Sequence, residues 1–323
     1  MYKTVTIDLQ KYEPVYENPI GRIEYYLIDM PKEYSREDKT KFEYKRCIFE
    51  PDMHYGEMTA YCIAKKLGVP CCKTELFKRP YVSKPNLFET GIISYYDLSN
   101  NDVTYAADSI VSRYMKKRGL ENDYMADIDT IFAAVLERFR QEGRSIGEFL
   151  KFKKDFIVMT VFDLQFGNFD RGLNNWFLRK NKLTGELDLY PMFDNEAILG
   201  FTDEIPDDMS YAQIAGFNNV RKSRVTLTED RKQRKYTDFR ELYKYLLEKY
   251  PLETRFATKK IGNFTAGDLD ENLNNLPDIS SERKEFARKN FMYRKMTMEK
   301  IYLEQYNRKK SVVPVKYEQR LSS

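Results

Sequence analysis

A two-lobed α+β chain, β-rich over its first hundred residues and mainly helical beyond them, is the fold class that the sequence predicts. Two patterns carry that expectation: aromatic and β-branched runs crowd the N-terminal third, and amphipathic 3.6-residue periodicity takes over after a polar turn, SNND, at residues 99–102. The length of 323 residues suffices for two lobes, each with its own apolar interior. The boundary is placed at the turn, giving an N-lobe of residues 1–98 and a C-lobe of residues 99–323.

The elements follow in order. RIEYYLID and KFEYKRCIF read as a strand pair joined by the polar run PKEYSREDKT. GEMTAYCIAKKLG places Met58, Tyr61, Cys62 and Leu67 at helical spacing, with Gly68 and Pro70 as a stop signal. PCCKTELF and ETGIISYYDL supply two further strands. Beyond the turn, Ile128, Ile131, Phe132, Val135, Leu136 and Phe139 line one helix face that Gly143 closes. IGEFLKFKKDFIVMTVFDLQF begins amphipathic and becomes apolar nearly all round, which predicts a helix running into the centre of its lobe. WFLRK and LDLYPMF flank the turn NKLTGE as a hairpin, and residues 281–309 form a long charged closing helix.

Composition excludes several function classes. Lys and Arg number 54 against 50 acidic residues, a net charge of +4, too small at this length to mark a nucleic-acid binder. No apolar run approaches a membrane span, and the N-terminus lacks the apolar core of a Sec signal peptide. The four cysteines, Cys47, Cys62, Cys71 and Cys72, show no metal-ligand spacing and read as buried thiols of a reducing compartment, the cytoplasm by default. With His54 as the single histidine, His-based triads and two-His zinc sites are out of reach, so catalysis must use carboxylates.

The polar stretch GNFDRGLNNWFLRKNKLTGELDLYPMFDNE, residues 167–196, sits between an apolar helix and two apolar strands. Asn168, Asp170, Asn174 and Asn175 share one loop, and folding the hairpin back brings Asp194 and Asn195 beside it. Phosphoryl transfer needs such a set: a carboxylate for the attacking hydroxyl, an Asn and an Asp for Mg²⁺, and a lysine on the phosphates. Lys45 on its strand and Glu57 opening the next helix match the Lys–Glu pair that steadies ATP phosphates. An Asx-rich turn serving only its own backbone is the plain alternative. No glycine-rich phosphate loop of either standard form occurs, and ENPIGR at 17–22 is the one candidate cover, with an ordinary loop the commoner reading. The cation run at 221–235 reads as a solvated loop, or as a docking surface for an acidic protein, RNA or phosphorylated segment.

GNFDRGLNNW followed by LYPMFDNE resembles the N-x-D-R-H-x-x-N-W and P-x-F-D-N motifs of HipA-like kinases, and FEYKRC through AKKLGVPCCKTEL resembles the same family's N-lobe, over roughly residues 20–200. The resemblance implies a bilobal protein-kinase-like fold and an ATP- and Mg²⁺-dependent serine/threonine kinase, its own chain among the substrates. Asp170 would be the base, Asn175 and Asp194 the Mg²⁺ ligands, and Lys45 the phosphate contact oriented by Glu57. Tyr95, Tyr96, Asp97 and Leu98 would form the adenine-side hinge, with Asn168 and Asn195 in support. The family's usual histidine is replaced by Gly172, which predicts a looser loop. The chain resembles the short stand-alone members, some of which are effectors secreted without a Sec signal, so the antitoxin partner of longer HipA toxins is not carried over. A nucleotide-binding pseudokinase, a phosphoinositide-like lipid kinase and an RNA-binding adaptor are the competing readings.

Overall fold

A computed structural model describes residues 4–6, 14–18, 23–29, 41–47, 54–81, 84–96, 98, 101–120, 126–232 and 235–311. Its first part is a six-stranded sheet built from β1 (Thr4–Thr6), β2 (Pro14–Asn18), β3 (Ile23–Asp29), β4 (Lys41–Cys47), β5 (Lys73–Tyr81) and β6 (Lys84–Tyr95), in the order β1-β5-β6-β4-β3-β2. The expected strand pair is β3 and β4, antiparallel, with Tyr25 opposite Lys45. Lys45 in turn lies opposite Ile92 of β6, so the strand that carries the lysine is the fourth of six and is paired on both sides. Between β4 and β5 runs α1 (His54–Leu67), whose stop at Gly68 takes φ +61°, as the sequence signal requires.

The helical part is organised around one element. After β7 (Asp102–Ala106), α2 (Ala107–Lys117), β8 (Ala126–Asp127) and α3 (Ile128–Gln141), the chain enters α4 (Ile146–Phe166). A reciprocal capping box starts α4: Ser145 accepts from the Glu148 amide while Glu148 accepts from the Ser145 amide. Every residue from Phe156 to Phe166 is buried, which is why the periodicity fades along this helix. Phe132, Phe152 and Trp176 pack in edge and tilted contacts around Phe156, at 5.1–6.2 Å between centroids for the pairs with Phe156 and the Phe152–Trp176 pair. Truncating a buried Phe in such a cluster costs about 3–5 kcal/mol, so the floor beneath the polar loop is rigid.

The expected hairpin is present as β9 (Phe177–Asn181) and β10 (Leu187–Leu189), and β7 joins it as a third strand that sequence patterning missed. Short elements follow: α5 (Tyr211–Val220), β11 (Val225–Thr226), α6 (Thr228–Lys232), α7 (Phe239–Lys249), α8 (Pro251–Gly262) and α9 (Ala266–Asn274). The closing helix is α10 (Ser281–Ser311), which lays Phe286, Ala287 and Phe291 into the core beside α4. Its Arg294 donates to the Leu164 carbonyl, tying the end of the chain to the end of α4. No helix among the described residues is long and apolar enough to cross a membrane.

Candidate active site

The polar loop begins where α4 stops. Gly167 takes the left-handed cap position at φ +78°, and the amides of Gly167 and Asn168 both donate to the Asp163 carbonyl. Asn168 then bridges helix and loop, its Nδ2 on Asp163 Oδ1 at 3.1 Å and its Oδ1 accepting the Asp170 amide at 3.2 Å. Asn175 Nδ2 donates to the Asp170 carbonyl at 2.7 Å, and the Gly172 amide donates to the same carbonyl at 2.6 Å. The spacing of Asp170 and Asn175 is thus a closed, hydrogen-bonded turn. With its nitrogen committed, Asn175 has only an oxygen left to offer a cation.

Arg171 is the residue on which the site is built. It is among the largest fully buried side chains, with Nε 2.9 Å from Asp163 Oδ2 and Nη2 3.2 Å from Asp163 Oδ1. Its Nη1 donates to the carbonyls of Asn175 at 2.8 Å and Phe193 at 2.7 Å, and Nη2 donates to Asn195 Oδ1. One guanidinium therefore joins α4, the polar loop and the segment after β10. Burial alone would drive its pKa down, yet the carboxylates around it, Asp163 first and then Asp194 and Glu57, together outweigh burial and hold the guanidinium above its ordinary value. Neither Asp163 nor Arg171 was singled out from the sequence; an Asp inside an otherwise apolar helix turn, VFDLQF, was the available signal.

Asp194 and Asn195 reach the loop from the other side. Asp194 sits at φ +55°, a left-handed conformation uncommon for non-glycine residues and most accessible to Asn and Asp, which surrounding contacts help to hold. Asn195 supplies such contacts: its amide donates to Glu57 Oε2, its Nδ2 donates to Glu57 Oε1 at 3.2 Å, and its Oδ1 takes the Arg171 bond. Glu57 is wholly buried in the first turn of α1. Gly56 makes that approach feasible, because a Cβ there would stand 2.1 Å from the Glu196 carbonyl oxygen. Glu57 therefore ties α1 to the Asp194–Asn195 segment; the side chain of Lys45, its expected partner, lies outside the described residues.

Asp170 is half-buried, and its carboxyl is raised from the usual range by burial, against the lowering effect of Arg224, with Asp194 raising it further. The two aspartates are thus close enough to repel. Arg224 Nη1 lies 2.6 Å from Asp170 Oδ1. The Asp194 carboxylate and the Asn175 amide oxygen are hard donors suited to Mg²⁺ in a site completed by substrate phosphates. Among the described residues there is no group of three or more His, Cys, Asp or Glu that could hold a metal ion by itself.

The expected hinge divides. Tyr95 is buried and its hydroxyl donates to Glu75 Oε2 at 2.6 Å, so it is tied back to β5. Tyr96 instead faces an aromatic wall, 6.3 Å from Tyr190 in a stacked arrangement and 5.7 Å from Phe193. Phe177 stacks on Tyr190 at 4.2 Å, and Leu98 and Cys72 join the same cluster. Asp97 lies outside the described residues, as do residues 19–22 of ENPIGR. The Cys71–Met192 bridge, with Cys72 N to Met192 O at 2.8 Å, fastens the sheet's entry strand to the segment carrying Asp194. Cys62, Cys71 and Cys72 form no disulfide.

Fold and site together define a kinase-like α+β architecture, and comparison with solved structures supplies its particular relatives. The chain is similar to the crystal structure of a Helicobacter pylori proinflammatory kinase, CtkA, with a TM-score of 0.67 and 17% identity over 94% of this chain and 100% of that one. It is also similar to HipA in the Shewanella oneidensis MR-1 toxin–antitoxin complex with HipB and operator DNA, with a TM-score of 0.55 and 10% identity over 91% of this chain and 67% of that one. No family model and no curated protein matches the sequence. The shared property is the fold, that of the HipA-like kinases.

Proposed function

We propose that the chain is an ATP- and Mg²⁺-dependent kinase that transfers the γ-phosphoryl group to a hydroxyl of protein Ser or Thr, its own chain included. The observation that carries this reading is the Arg171 network, which binds the Asp170–Asn175 turn and the Asp194–Asn195 segment into one constellation. Asp170 takes the proton of the attacking hydroxyl as its oxygen bonds to the γ-phosphorus and the bond to the β-phosphate oxygen breaks. Asn175 and Asp194 hold Mg²⁺, which when bound supplies charge neutralisation on the phosphates. Lys45 contacts the phosphates with Glu57 in support, and Asn168 and Asn195 keep the two loops in register. Tyr96 presents the aromatic face for adenine, within the segment Tyr95–Leu98 that divides the N-lobe, residues 1–98, from the C-lobe.

The test is incubation with Mg²⁺ and γ-labelled ATP, alone and with a generic basic protein. Wild type is expected to transfer label, while Asp170→Ala and Asp194→Ala each lose at least about a hundredfold in rate while melting like wild type. A folded Asp170→Ala chain with full activity would refute the assignment. Gly172, standing where the family has histidine, favours a second reading as a nucleotide-binding pseudokinase; ATP binding without transfer in the same assay would select it.

A further inference from the structure

Three cations enter the site's edge from one short segment between α5 and β11. Arg221 pairs with Asp203 and lies over the Phe169 ring at 4.7 Å, and Lys222 pairs with Asp238 at 3.0 Å. Each is matched by an acid that belongs to the scaffold. Arg224 differs, because the acid it meets is Asp170. Its backbone is fixed, with the amide on the Phe169 carbonyl at 3.3 Å and the preceding Ser223 paired with Thr237. Its side chain is 41% exposed.

The contact itself is close but off the hydrogen-bond line. Asp170 Oδ1 is buried and makes no aligned hydrogen bond, although Arg224 Nη1 approaches to 2.6 Å. Asp170 therefore keeps its capacity to accept a hydroxyl proton, while a guanidinium stands where that hydroxyl must arrive. Gly172 is part of the same arrangement. A Cβ there would stand 2.8 Å from Asn174 Oδ1, which would have to shift, and 3.5–3.6 Å from the Arg224 side chain, an ordinary contact, so the glycine lies directly beside Arg224.

We propose that Arg224 is a specificity-determining residue that selects acidic protein segments as phosphate acceptors, moving from Asp170 onto a carboxylate beside the acceptor hydroxyl. The proposal rests on the kinase reading above. A neutral segment must break the Arg224–Asp170 pair with nothing to replace it, whereas an acidic segment exchanges one carboxylate for another and frees Asp170 in the same movement. Pairing and catalysis cannot coincide at Asp170, so acceptor charge sets how often the base is available.

The experiment uses two fluorescent Ser-containing peptides, one with Asp and Glu flanking the serine and one with Asn and Gln there. Binding by anisotropy and label transfer are both measured with wild type, Arg224→Gln and Arg224→Lys, after melting curves establish that each variant folds. The acidic peptide is expected to bind and react about tenfold better with wild type and Arg224→Lys, and within about twofold of the neutral one with Arg224→Gln. Transfer without charge preference, or a preference that survives in Arg224→Gln, overturns the role of Arg224 and leaves the kinase reading standing. Charge-selective binding that needs Arg224, without transfer to either peptide, overturns Arg224 as a selector of phosphate acceptors and leaves the kinase reading to label on the chain itself. Absence of binding and transfer with both peptides overturns the proposal, and label on the chain itself then decides the kinase reading separately.

Discussion

Replacing Arg171 with Met should be among the most damaging single changes at the site, and the structure sets the scale. The Met side chain fills the apolar stem but removes five donated bonds: two to Asp163, one each to the Asn175 and Phe193 carbonyls, and one to Asn195 Oδ1. Asp163, buried on α4, is left as an uncompensated carboxylate. Breaking a buried pair from one side costs about 3–5 kcal/mol, because the remaining charge is stranded in low dielectric. The single tryptophan, Trp176, is buried against Phe152 and Phe156 next to this loop, so its fluorescence in a urea titration reports the unfolding directly. The double variant Arg171→Met/Asp163→Leu removes the stranded charge as well and should recover a large part of the loss in stability, though not activity, since Asn195 Oδ1 and the Asn175 and Phe193 carbonyls still lack the guanidinium. Arg171→Lys keeps the charge but not the planar fork, and falls between. A loss below about 1 kcal/mol in Arg171→Met, or a double variant no more stable than the single, would refute the keystone role.

Gly56→Ala drives a Cβ to 2.1 Å from the Glu196 carbonyl oxygen, so α1 must retreat from the Asp194 segment; the expected result is a stability loss of about 1–3 kcal/mol and weaker Mn²⁺ binding measured by paramagnetic resonance. His54 is the chain's only histidine, buried in edge contact with Tyr55, and burial pushes its pKa from 6.5 down to about 4. Its folded pKa being the lower one, its contribution is present above pH 6.5 and is lost as pH falls toward 4, about 2 kcal/mol of it between pH 7.5 and 5. His54→Phe should flatten that slope in urea titrations at the two pH values, and an unchanged slope would place His54 in contact with water.

What could be read from the sequence and what could not divide along one physical line. Elements set by local signals came through: Gly68 and Gly143 end their helices at positive φ, and the β3–β4 and β9–β10 pairs stand where alternation and turn residues put them. β7 and α2 were missed: α2 buries Ala107, Val111 and Met115 at helical spacing, a local pattern that was there to be read, whereas β7 buries no residue and stays in place through its ladder with β9. The site behaves the same way. Asp170, Asn175 and Asp194 were visible as residue types that phosphoryl transfer uses, yet the residue that binds them together, Arg171, makes its two charged contacts to an aspartate eight positions back inside an apolar helix. Sequence spacing cannot display such a pairing. The cation run at 221–235 shows the cost of judging charge one residue at a time. Read alone it is a solvated loop, but Arg221, Lys222 and Arg224 each meet a specific acid, Asp203, Asp238 and Asp170. Gly172 changes meaning for the same reason. As a lone substitution it loosens a loop; in the folded chain a Cβ there would press on Asn174 Oδ1 at 2.8 Å while only touching the Arg224 side chain at 3.5–3.6 Å, so the departure at 172 bears first on its own loop. A Gly172→His change alone should then damage the site, because Asn174 has to shift to make room.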